Sequence, residues 1–170
     1  QGFGVDLHRH LQSGHLEITP VDPAELSPGE LVHRLRSTIA RNSTSVVVID
    51  SLNGYLTSMP DEGFLIVQLH ELLAFLGHRG IASLLVGAQK GLIGNMTSAV
   101  DVSYLADAVI LLRYYEAGGA VHQAISVVKK RGGEHERTIR ELVMEKGSLT
   151  IGEPLRNLRG ILTGVPESIK

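Results

Sequence analysis

Two apolar runs on either side of a helical stretch leave this chain few folds. Ser45-Val46-Val47-Val48-Ile49 and Ile81-Ala82-Ser83-Leu84-Leu85-Val86 are continuously apolar rather than alternating, as expected of parallel strands covered on both faces. Between them, residues 61–79 read as a helix with Leu65, Leu69, Leu72 and Leu76 on one face and Gly80 marking its end. Strand, helix, strand implies a right-handed parallel crossover, so the expected class is α/β with these strands at the centre of a sheet. An earlier helix opens at Ser27-Pro28-Gly29-Glu30, where Ser27 caps, Pro28 suits the first turn and Glu30 can close a capping box; its stripe is Leu31, Leu35 and Ile39.

Beyond the crossover, Ala108–Leu112 reads as a further strand, and residues 123–129 and 138–144 alternate apolar with polar positions, as half-exposed antiparallel strands do. Turns fall at Glu116-Ala117-Gly118-Gly119 and Lys146-Gly147-Ser148. The expected organisation is a single domain: connecting helices and one strand in 1–44, a parallel core in 45–113, antiparallel strands and a tail in 114–170. No run of about 18 apolar residues occurs, so no membrane span is expected. The start, Gln1-Gly2-Phe3-Gly4, has neither an initiator Met nor a signal-peptide pattern and reads as cut from a longer chain. With no cysteine, disulfides and thiolate metal sites are excluded, and the cytoplasm is the expected compartment.

The chemistry gathers at three places. Val46-Val47-Val48-Ile49-Asp50 ends a parallel strand in an acid, the Walker B pattern, which sets a carboxylate where nucleotides bind in open α/β sheets and where it can hold Mg²⁺ through water. Asp50 could equally cap the following turn. The next strand runs into Gly87-Ala88-Gln89-Lys90, placing Gln89 beside that edge either as a γ-phosphate sensor that orients water or as a plain loop amide. Finally, Val127-Val128-Lys129-Lys130-Arg131-Gly132-Gly133 delivers alternating cations into a glycine turn. On a strand Lys129 and Arg131 share a face, suiting a triphosphate or simply a protected basic edge. The glycine-rich phosphate cradle G-x-x-x-x-G-K-[ST] is absent from the sequence, so poor ATP binding is expected of these residues alone.

Other chemistries find less support. His8, His10, His15, His33, His70, His78 and His122 lack metal-ligand spacing and are expected on the surface or in packing. No Gly-x-Ser-x-Gly elbow is present. The net charge of −2 offers no broad field for a phosphate backbone. Residues 91–102, where a recombinase would carry its strand-binding loop, contain no Arg or Lys, so nucleic acid is not the expected partner.

From about Ser45 onward the order of elements resembles the KaiC family of RecA-like ATPases, and most closely its carboxyl-terminal domain. The resemblance rests on Ala106-Asp107-Ala108-Val109-Ile110-Leu111-Leu112-Arg113-Tyr114, on Ala124-Ile125-Ser126-Val127-Val128-Lys129-Lys130-Arg131-Gly132 with His135, and on the tail Gly152-Glu153-Pro154-Leu155 and Gly160–Pro166. It implies a RecA-like three-layer sandwich, with a mainly parallel central sheet extended by antiparallel strands, lacking the part that carries the P-loop. It also implies a hexameric ring that hydrolyses ATP with Mg²⁺ between subunits, for signalling or regulation. Lys129, Lys130, Arg131, Gly133, His135 and Arg137 would then line the neighbouring subunit's nucleotide, with Asp50, Gln89, Lys129 and Arg131 serving catalysis. Where clock members of the family autophosphorylate an adjacent Ser-Thr pair, this sequence reads Ser103-Tyr104, leaving Ser103 as the candidate phosphosite. Two alternatives stay open: a DNA-dependent ATPase of the wider RecA class, and a nucleotide-gated scaffold without significant turnover.

Overall fold

The computed structural model describes residues 5–54, 62–88 and 102–169. In chain order the elements are α1 (Leu7–Gln12), α2 (Pro28–Arg41), β1 (Val46–Asp50), α3 (Glu62–His78), β2 (Ala82–Val86), β3 (Ala108–Ala117), β4 (Ala120–Lys130), β5 (Arg140–Glu145), β6 (Ser148–Pro154), β7 (Leu158–Arg159) and β8 (Glu167–Ser168). Short 3₁₀ turns occur at Ser103–Leu105 and Ile161–Thr163. The class is mixed α/β, and among the described residues the parallel pair and the antiparallel ladder form distinct sheets. The chain divides into two compact units, whose described residues are 20–54, 62–88 and 102–105 in one and 5–19 and 106–169 in the other.

In the first unit, β1 and β2 pair in parallel from Val46↔Ala82 to Asp50↔Val86, as a strand–helix–strand order requires. The Ser27 hydroxyl accepts the Glu30 N–H at 3.2 Å and caps α2, whose first turn holds Pro28. Leu72, Leu76, Val32, Ile39, Val47 and Ile81 form one core cluster, and Leu52, Leu65 and Leu69 a second. All four leucines of the expected α3 stripe are therefore buried.

One expectation is corrected. Among the described residues the two strands are not covered on both faces: Val47 is buried, but Val46 and Val48 are 51% and 58% exposed, and Leu84 and Val86 on β2 are exposed too. The helices pack against the Val47 side alone, so a continuously apolar run here has one buried and one open face. Periodicity reads residue type, and could not distinguish this from double burial.

The second unit is built on β3-β4-β5-β6, each neighbour antiparallel. Gly118 and Gly119, at φ 59° and 75°, make the β3–β4 turn with both residues in the left-handed region, which explains the glycine pair. Tyr115, Ala124 and Ile161 are buried on one face with Ile139, Leu155 and Leu158 against them. On β3 the alternate residues Ile110, Leu112 and Tyr114 are exposed. Among the described residues no helix is long and apolar enough to cross a membrane.

Candidate functional site

Asp50 closes β1 opposite Val86, with its side chain exposed at the carboxyl edge of the parallel pair. The Asp50–Ser51 peptide is cis. Immediately after it, Leu52 N–H donates to the Val86 carbonyl at 3.0 Å. Asn53 then acts as a surrogate peptide: its Nδ2 donates to the Ala88 carbonyl and its Oδ1 accepts the Ala88 N–H, both at 2.6 Å. The pair continues the β1–β2 ladder through a side chain and ties the turn after Asp50 to the end of β2. Asn53→Ala deletes both bonds. It is expected to cost about 1–2 kcal/mol, read as a lower urea midpoint together with faster hydrogen exchange at the Ala88 amide.

Gln89 and Lys90, and residues 91–101 of the loop weighed for DNA binding, lie outside the described residues. Ser103 sits half-buried in the 3₁₀ turn Ser103–Leu105, and the neighbouring Tyr104 is exposed.

The cationic segment belongs to the other unit, and its geometry depends on one irregularity. Ile110 pairs with Val127, but Val109 pairs with Lys129, so Val128 is an extra residue in β4. Such a bulge reverses which face the following residues occupy. Lys129 consequently lies on the face of Val109, not that of Ile110, and Lys130 opposes Ala108. One step further, the Arg131 N–H donates to the Asp107 carbonyl at 2.6 Å, prolonging the ladder, and Arg131 Nη1 lies 3.2 Å from Asp107 Oδ1. Lys129 and Arg131 thus share a face, as two-residue periodicity requires.

Gly132 and Gly133 follow at φ 83° and 74°, turning the chain sharply after Arg131. Lys130 Nζ donates to the Glu134 carbonyl at 3.1 Å and closes that turn, so this cation has a local structural contact as well as its expected place beside a nucleotide. His135 is half-buried, whereas Gly133 and Arg137 are exposed. Beyond them, the Glu136 carboxylate accepts from the Thr138 hydroxyl, from the Thr138 N–H at 3.2 Å and from Arg140 Nη2 at 3.4 Å. The Thr138 hydroxyl is the largest influence holding the Glu136 carboxyl below its ordinary range, followed by the Thr138 N–H.

Sequence reading singled out neither Asp107 nor Asn53 for a role. The Arg131–Asp107 pair is largely exposed, at 62% and 81%, and a pair so solvated contributes about 0–1 kcal/mol to stability. Elsewhere in this unit, His122 stacks on Tyr115 at 5.3 Å, with Nδ1 3.0 Å from Glu141 Oε1 and Nε2 3.2 Å from the Ala117 carbonyl. Burial, and then the Glu141 charge, push the Tyr115 hydroxyl above its usual pKa. His122 therefore has the packing role expected of it.

For a divalent cation, no group of three or more His, Cys, Asp or Glu side chains is assembled among the described residues. Asp50 could hold Mg²⁺ only with water and phosphate oxygens completing the shell, which suits that ion's preference for few protein carboxylates. For a nucleotide, the paired cations and the open glycine turn fit phosphate oxygens.

A family model described as ATPase: KaiC matches residues 1–156. The chain is 29% identical over 168 residues to the circadian clock protein KaiC3 of a Synechocystis strain, covering 97% of this chain and 33% of that protein. It is 27% identical over 168 residues to the circadian clock oscillator protein KaiC of Thermosynechococcus vestitus, covering 98% and 32%. To the same-named protein of Acaryochloris marina it is 24% identical, with 98% and 32% covered. The chain spans about a third of the length of these curated relatives.

Proposed function

The chain belongs to the KaiC ATPase family, and from that premise we propose that it supplies parts of two ATP sites in a homo-oligomeric ring. Asp50 serves the metal side of one site; Lys129 and Arg131 reach the phosphates of the site on the neighbouring subunit. The supporting observation is that Lys129 and Arg131 share one face at the end of β4, which the bulge at Val128 sets as the face of Val109, beside a turn of two left-handed glycines. A strand end of this kind presents a point charge and a planar fork together, the combination that stabilises charge on a transferring phosphoryl group. Gly133, His135 and Arg137 lie along the same stretch and would line the nucleotide, and Gln89 would orient water. Bound ATP supplies the phosphoanhydride and Mg²⁺ neutralises its charge. The protein's task is to hold those charges in position and exclude alternatives.

The regulatory or signalling use proposed here follows the clock function in the relatives' names, and the cytoplasm remains the proposed compartment. Residues 91–102 without Arg or Lys favour this over DNA handling.

Subunit mixing in the full-length protein tests the trans arrangement. In a ring built from equal amounts of Asp50→Ala and Arg131→Ala subunits, about one interface in four keeps both residues, so about a quarter of wild-type turnover should return although either variant alone is inactive. If both residues serve the same subunit's site, no interface is repaired and nothing returns.

A further inference from the structure

Arg131 is the last residue before two glycines at φ 83° and 74°, a position where a long side chain and its backbone would otherwise fray. Asp107 meets it twice: the Asp107 carbonyl takes the Arg131 N–H at 2.6 Å, and Oδ1 lies 3.2 Å from Nη1. One contact fixes where the Arg131 backbone leaves the sheet, and the other fixes where its guanidinium points. We infer that Asp107 is a positioning residue that holds Arg131 in the orientation needed to meet the neighbouring subunit's phosphates. The inference rests on the proposed trans role of Arg131.

One observation separates this from an incidental surface pair. The bulge at Val128 is what aligns Asp107 with Arg131, since the unshifted register would set Ala106 there. A guanidinium held before the substrate arrives loses less conformational freedom in the transition state, and the gain appears in kcat more than in binding.

The test is a double-mutant cycle in the full-length protein, with kcat and KM measured separately for ATP hydrolysis. Asp107→Ala should lower kcat about 2–5-fold with KM little changed, the most that so solvated an ion pair can bias the guanidinium. Asp107→Asn, which keeps an oxygen acceptor, should recover part of that loss. Because Asp107 acts through Arg131, adding Asp107→Ala to Arg131→Ala should lower turnover no further than Arg131→Ala alone. Unchanged kcat in Asp107→Ala, or multiplicative losses in the double variant, would overturn the positioning role while leaving the trans finger standing. A neutral Arg131→Ala would instead overturn the finger, and this inference with it.

Discussion

Arg131→Ala should lower ATP turnover by about 10³-fold or more, the scale on which a trans arginine acts in phosphoryl transfer. The expectation is large because the guanidinium would stabilise charge that exists only in the transition state, so its loss falls on kcat and not on ground-state affinity. The fold should tolerate the change. Arg131 is 62% exposed, and its ion pair with Asp107 is itself solvated. Single-turnover kinetics on assembled rings, with circular dichroism to check the fold, make the measurement. Arg131→Lys should recover little, since an ammonium keeps the charge without the planar fork. Turnover within a few-fold of wild type in Arg131→Ala would leave Lys129 and Arg131 as cations at the end of β4 with no part in catalysis.

The parallel crossover was legible because local signals agree there: Ser27 caps α2, four leucines line α3, and a strand run flanks it on each side. Exposure of Val46 and Val48 was not, because burial depends on what packs above a strand and residue type does not record that. The finger is the sharper case. Counting rungs from Ala117↔Ala120 pairs Ile110 with Val127, and continued unbroken would set Lys129 opposite Ala108 and Arg131 opposite Ala106. The extra residue Val128 moves each by one place, so Lys129 faces Val109 and Arg131 meets Asp107. Alternation correctly joins Lys129 with Arg131 but cannot say which face they take, nor which acid they meet. Asn53 escaped notice for a related reason: an asparagine after a strand reads as an ordinary turn residue until its partner on another strand is known.

Leu72→Ala should destabilise the protein by about 2–5 kcal/mol, the cost of a truncated core leucine that leaves a cavity. Leu72 has no exposed surface and lies in the cluster that joins α2, α3 and β1 through Val32, Ile39 and Val47. Against a total of about 5–15 kcal/mol for a typical domain, that is a large share. Val67, on the same helix but 53% exposed, gives the internal control: Val67→Ala should change stability by no more than about 0.5 kcal/mol. Urea unfolding of both variants makes the comparison. Because β1 is held by this cluster and Asp50 is its last residue, the Leu72→Ala defect should reach activity as a temperature dependence: turnover close to wild type in the cold, lost on warming well before Val67→Ala is affected. Equal stability of the two variants would mean that α3 is not anchored by its leucine face, and the packing that positions Asp50 would need another source.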